Sequence, residues 1–220
     1  WNKASINVVS IVTRHDLHAE QVIATLESGK NVFVEKPLAL KLEELDNISN
    51  SFQTINQNRE EPLRLMVGFN RRFAPHVVKM KALLESKKEP KSIIMTINAG
   101  DIPADHWTQD PSVGGGRIIG EGCHFIDLMR HLVGHKVTNF QATMMGNVPG
   151  VEVREDKASI TLSFEDGSFG TIHYLANGGS AFPKERIEVF CDNAVLQMDN
   201  YRVLTGYGWP KFKKMKLFKQ

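Results

Sequence analysis

Only two cysteines, Cys123 and Cys191, occur among 220 residues. So few rule out a disulfide framework and suit a reducing, cytoplasmic compartment. No apolar run approaches the ~18 residues of a membrane span, so no membrane partner is expected. A formal charge of +2 is too close to neutral to suggest nucleic acid or an anionic surface. The opening Trp1-Asn2-Lys3 has neither an initiator Met nor a signal-peptide pattern. Nor is there a G-x-G-x-x-G phosphate turn after a first strand; Gly114-Gly115-Gly116 has the wrong spacing.

What is present has an α/β beginning. Ile6 to Val12 is a near-continuous apolar run that predicts a strand covered on both faces. Ala19, Val22, Ile23 and Leu26 then share one helical face, and Gly29 supplies the stop. Val32 to Val34 predicts a second strand, so the three pieces form a βαβ unit. A second helix carries Leu42, Leu45, Ile48, Phe52 and Ile55, and Leu63 to Phe69 reads as a third strand. Two successive βα units ending in a strand make half of a doubly wound nucleotide fold. The missing glycine turn would lie upstream, so we expect some 60 residues or more to precede this chain, at about 30 per unit.

Beyond Phe69 the pattern changes. Ala74 to Ser86 reads as a helix with Val77, Val78, Met80, Leu83 and Leu84 apolar, and Ile93 to Asn98 as a strand. Ile118 to Val133 reads as a helix stopped by Gly134. Hairpins then turn at Asp166-Gly167 and Asp192-Asn193. The fold class is thus a partial Rossmann half (1–72), followed by a substrate and oligomerisation domain (73–220) with a large, mostly antiparallel open sheet. Its apolar face calls for a cover of helices and a partner subunit. Lys211, Lys213, Lys214, Lys216 and Lys219 suggest a charged edge strand rather than a nucleic-acid patch.

Four places could carry chemistry. Glu35-Lys36-Pro37 sets an acid and an amine at the carboxyl end of a parallel strand, where open α/β sheets hold ligands; an ordinary solvated pair is the alternative. His18 stands at a helix start beside the same crevice, or is merely solvated there. Arg71 and Arg72 could grip phosphate or carboxylate groups, or form a solvated hinge pair. Glu121, His124 and Asp127 recur every third position along one helix, suiting acid–base work, a cramped divalent-metal site, or a plain polar face.

Taken together these residues resemble the Gfo/Idh/MocA oxidoreductases. The likeness rests on Thr13 with His18, on Gly29, on Glu35-Lys36-Pro37, on Gly68 with Arg72-Phe73-Ala74-Pro75, and on Gly114-Gly115-Gly116 with His124 and Asp127. It implies hydride transfer between NAD or NADP and a sugar or cyclic polyol, by a cytoplasmic homodimer or homotetramer joined through the open sheet. It also implies that Lys36 orients the reacting hydroxyl and His124 takes its proton. Glu35 would lie near the nicotinamide ribose, Thr13 and His18 near the nicotinamide, and Arg72 and Asp127 at the substrate. Inositol-dehydrogenase-like members also place an aspartate four residues before the histidine. Here that position is Gly120, so either Glu121 takes over the orienting role or the substrate is held differently. Two rivals stay open, a non-catalytic sugar-binding or assembly module and a metal-dependent lyase or hydrolase, although no resident metal is expected. The isolated chain should be inactive and bind dinucleotide poorly, because its anion-binding turn is missing.

Overall fold

The computed structural model describes Lys3 and residues 5–217. Trp1, Asn2 and Lys219, which figured in the sequence reading, lie outside the described residues. The chain packs as two units, one of residues up to Phe69 with Asp105–Cys123, the other of Asn70–Ala104 with residues from His124 onward.

In the first unit, β1 (Val8–Ile11), β2 (Asn31–Val34) and β3 (Leu65–Val67) form a parallel sheet in that order. Helix α1 (His18–Glu27) crosses from β1 to β2, and α2 (Leu42–Asn56) from β2 to β3. Ile11, Ala19, Val22, Leu26, Val32, Val34, Ile48 and Leu63 make one core. Each large side chain fully buried there contributes about 1.5–3 kcal/mol. Gly29 ends α1 at φ +74°, a left-handed conformation that L side chains resist. The Glu44 carboxylate accepts the backbone N–H groups of Leu40 and Lys41, at 2.9 and 3.2 Å, and fixes the start of α2. Coverage is thinner than expected. Val8 and Val12 are exposed because β1 is an edge strand of this sheet, and of the α2 stripe only Ile48 is fully buried.

The second unit holds an eight-stranded sheet in the order β11-β10-β9-β8-β4-β7-β6-β5. Its strands are β4 (Ser92–Asn98), β5 (Val137–Met144), β6 (Lys157–Phe164), β7 (Phe169–Leu175), β8 (Glu185–Cys191), β9 (Ala194–Asp199), β10 (Val203–Tyr207) and β11 (Lys214–Lys216). Only β4 and β7 pair in parallel. Helix α3 (Pro75–Leu84) opens on a proline, whose missing N–H costs nothing at a first helical position. Helix α4 (Cys123–Val133) buries Phe125, Leu128, Met129 and Leu132, and a side chain on Gly170 of β7 would meet Met129 at 2.7 Å. Val78, expected inside, is exposed because α3 instead buries His76, Val77, Met80 and Leu84. The lysine-rich end supplies β11, an edge strand.

Candidate functional site

The carboxyl ends of β1 and β2 in the first unit are tied together by one ring. His18 is fully buried, with Nδ1 2.7 Å from the Pro37 carbonyl oxygen and Nε2 3.1 Å from that of Thr13. It is therefore not a solvated helix-start residue, and it braces the loop leaving β2 against the loop leaving β1. The Thr13 hydroxyl donates to Gln21 Oε1 at 2.9 Å.

Where β2 ends, Glu35 and Lys36 are half-buried, and the Lys36–Pro37 peptide is cis. The Glu35 carboxylate lies over Gly68 so closely that a Cβ there would stand 3.1 Å from Oε2. Lys36 Nζ donates to the Gly120 carbonyl oxygen at 2.6 Å. No carboxylate pairs with this ammonium among the described residues. Gly120 thus meets Lys36 through its backbone.

That carbonyl is delivered by residues 105–123, which fold against the β2 exit because three glycines admit close approach. A Cβ on Gly114 would strike the Trp107 and Thr108 backbone, one on Gly115 would come 2.6 Å from Leu40 Cδ2, and one on Gly120 would come 3.2 Å from His15 Cε1. His15, which the sequence reading passed over, is held here. Its Nδ1 lies 2.8 Å from the Gly114 carbonyl oxygen, and its ring meets Trp107 edge-on at 4.9 Å between centroids. Burial pushes the His15 pKa below the usual histidine value, the Gly114 carbonyl opposes that, and the charge of Lys36 adds to the lowering. No local signal pointed to this ring, since its partner is 99 residues away.

The chain from Ile118 to Gly122 makes a π-helical turn that leads into α4, so Glu121 and His124 do not share one regular α-helical ladder. Arg117 Nη2 donates to Glu121 Oε2 at 2.6 Å.

In the second unit His124 is buried near the start of α4. Arg72 and Asp127, expected to bind substrate, hold each other. Arg72 Nε donates to one Asp127 oxygen at 2.6 Å and Nη2 to the other. Arg71 pairs with Glu185 in the same two-pronged way, at 2.7 and 3.1 Å, and its guanidinium lies 4.6 Å from the Phe125 ring centroid. Neither arginine is a solvated hinge residue. Beside Arg72, a cavity of about 490 Å³ is lined by Lys81, Arg130, His131, His135 and Lys136. Among the described residues no group of three or more His, Cys, Asp and Glu side chains could hold a metal ion. Glu121 and Asp127 each accept from an arginine, Arg117 and Arg72.

The fit to a nicotinamide cofactor follows from the donor set at the β1 and β2 ends. Glu35 offers a carboxylate suited to ribose hydroxyls, and the absence of a side chain at Gly68 leaves that carboxylate room. Lys36 offers an ammonium beside it.

Comparison with known proteins agrees with this architecture. Residues 1–69 match the model of an oxidoreductase family with an NAD-binding Rossmann fold, and residues 77–197, more than half of the chain, match the GFO/IDH/MocA C-terminal domain. The chain is 28% identical over 204 residues to myo-inositol 2-dehydrogenase of Thermotoga maritima, covering 91% of this chain and 59% of that protein. It is 31% identical over 173 residues to scyllo-inositol 2-dehydrogenase (NAD(+)) of Bacillus subtilis, covering 76% and 48%. A crystal structure of levoglucosan dehydrogenase in complex with NADH and levoglucosan superposes with a TM-score of 0.80 at 23% identity, over 98% of this chain and 62% of that one. At that identity the superposition shows the fold alone. The chain spans less than two thirds of the length of these relatives.

Proposed function

Because this chain belongs to the Gfo/Idh/MocA oxidoreductase family, we propose that its protein transfers hydride between NAD or NADP and a sugar or cyclic polyol hydroxyl. The observation that carries this reading is the half-buried Lys36 ammonium at the carboxyl end of a parallel strand, held by a neutral carbonyl rather than a carboxylate. Such an ammonium keeps its full charge for an oxygen that becomes an alkoxide.

In this proposal Lys36 orients the reacting hydroxyl and lowers the cost of its ionisation, and His124 receives the proton. Glu35 accepts hydrogen bonds from the nicotinamide ribose. Thr13 and His18 shape the floor beneath the nicotinamide, His18 by bracing the two loops. When bound, the nicotinamide supplies the hydride acceptor. Arg72 and Asp127 serve the substrate indirectly: their mutual bond fixes the turn of α4 that follows His124. Glu121, which accepts from Arg117, takes the orienting role left open at Gly120.

The domain division follows the same reading, with 1–72 as the dinucleotide half and 73–220 as the substrate domain, whose residues 105–123 pack on the first unit. A homodimer or homotetramer forms through the open sheet, in the cytoplasm. Its unpaired face carries Ile94, Phe169 and Phe190 among polar residues. Among the described residues no helix is long and apolar enough to cross a membrane.

A screen of the full-length protein against sugars, amino sugars and polyols, with NAD and with NADP, tests the function. Reduction of either cofactor by one of these classes is expected. Silence across the panel, with cofactor bound, would favour a non-catalytic module.

A further inference from the structure

We propose that the cavity of about 490 Å³ at the carboxyl ends of α3 and α4 binds a phosphate group, either as the free ion or as the ester of a small polar molecule. The cavity lies wholly within the second unit, at the end of α4 away from His124. The inference does not depend on the oxidoreductase reading.

Three observations converge. The first is charge without a partner. Lys81 of α3, Arg130 of α4 and Lys136 in the link to β5 line the cavity, and among the described residues none of these side chains makes a hydrogen bond or ion pair. The neighbouring carboxylates are spent elsewhere: Asp127 accepts from Arg72, and Asp166 accepts from Ser168 and faces His135 at 3.9 Å. Glu165 is the one acid among the lining residues. The carboxyl ends of the two helices add about half a negative charge each. Glu165 and the helix ends therefore offset about two of the three cations, and a positive charge remains before either histidine is protonated.

The second observation is shape. Gly134 ends α4 at φ +88°, and a Cβ there would stand 3.1 Å from Lys81 Nζ. The ammonium thus rests against bare backbone at the cavity wall, where a side chain would displace it. The third is the kind of donor. Elsewhere in this unit a planar carboxylate is met by one forked guanidinium, as in Arg71 with Glu185 and Arg72 with Asp127. Here single cations arrive from three segments, an arrangement suited to a tetrahedral group whose oxygens diverge. His131 and His135 supply further donors when protonated.

Binding and protonation are linked. Burial lowers the Lys81 pKa, Glu85 opposes this and Lys91 adds to it. Burial also lowers the His131 pKa, as do the charges of Arg72 and Lys81, against Asp127 and Glu85. A dianion in the cavity favours the charged form of both, so it should raise the His131 midpoint.

The test is calorimetric titration of the full-length protein with inorganic phosphate, at ionic strength held constant with chloride. A dissociation constant below about 1 mM is expected. Lys81→Met and Arg130→Gln should each weaken binding about tenfold or more, the loss of one hydrogen bond to a charged group, whereas Lys214→Met on β11 should not. Arg130 is exposed, so its variant keeps the test open if Lys81→Met fails to fold. Glycerol 3-phosphate binding more tightly than phosphate would support an ester as the occupant, and weaker or equal binding the free ion. In NMR titrations phosphate should move the His131 Cε1–H midpoint upward and leave the exposed His106 in place. No binding up to about 10 mM phosphate, equal affinity for acetate, or undiminished binding in the Lys81 and Arg130 variants would overturn the proposal.

Discussion

Replacing Arg72 with methionine gives the most direct energetic test of how α4 is held. The guanidinium engages both Asp127 oxygens, and the two side chains are 32% and 7% exposed. Methionine would fill the stem of the arginine but leave a buried carboxylate unpaired, which typically costs about 3–5 kcal/mol. Because a third of the arginine is open to water, some rehydration of Asp127 is available, and we expect about 2–3 kcal/mol. In urea this corresponds to a midpoint lowered by about 1 M, for a slope of roughly 2–3 kcal/mol/M. The double variant Arg72→Met/Asp127→Leu removes both charges and should recover most of the loss, ending within about 1 kcal/mol of wild type. A single-variant cost under about 0.5 kcal/mol, or a double variant as unstable as the sum of the singles, would show that the pair does not hold this helix.

Three further outcomes follow from the packing. Gly115→Ala should destabilise by about 1–2 kcal/mol, since φ is +76° and the new methyl would press on Leu40; a melting temperature equal to wild type would contradict this. Gly170→Ala should cost about 1–3 kcal/mol by overpacking Met129 and Ile93, read by urea unfolding. His76 is wholly buried and desolvation lowers its pKa, with the Met215 and Arg202 backbone opposing. The folded state therefore binds fewer protons than the unfolded one between the depressed folded value and the ordinary value near 6.5, so stability is full above about pH 6.5 and falls on acidification. His76→Leu should flatten that slope in urea midpoints taken between neutral and mildly acidic pH, and an unchanged slope would refute the assignment.

Much of the first unit was legible because its signals are local. The i, i+3, i+4, i+7 stripe of α1, its stop at Gly29 and the apolar Val32-Phe33-Val34 run need no distant partner. The same holds for the turns at Asp166-Gly167 and Asp192-Asn193; in the latter both residues have positive φ. Strand β5 left no such trace: all eight of its residues are exposed, so no alternation between faces was imposed on VTNFQATM. Strand β10 left little trace either, with only one of its five residues fully buried, whereas the lysine-rich end already read as the edge strand that β11 is. In the candidate site, Lys36 announced itself through the proline after it and the strand before it. The partners did not. Arg71 finds Glu185 114 residues away, Arg72 finds Asp127 55 away, and His15 finds Gly114 99 away. A dipeptide of arginines cannot say which carboxylates the fold will bring, and a histidine between Arg14 and Asp16 looks like solvated loop until a glycine-rich segment closes over it.

The role given to Lys36 is tested most directly by Lys36→Met in the full-length protein, measuring turnover and cofactor affinity side by side. Turnover should fall about 10²–10³-fold, the loss typical of one charge-stabilising donor, while the dissociation constant for the nicotinamide dinucleotide stays within about threefold, well under the 1.4 kcal/mol of a tenfold change. Wild-type turnover in the variant, or loss of cofactor binding that accounts for all of the decline, would contradict the account.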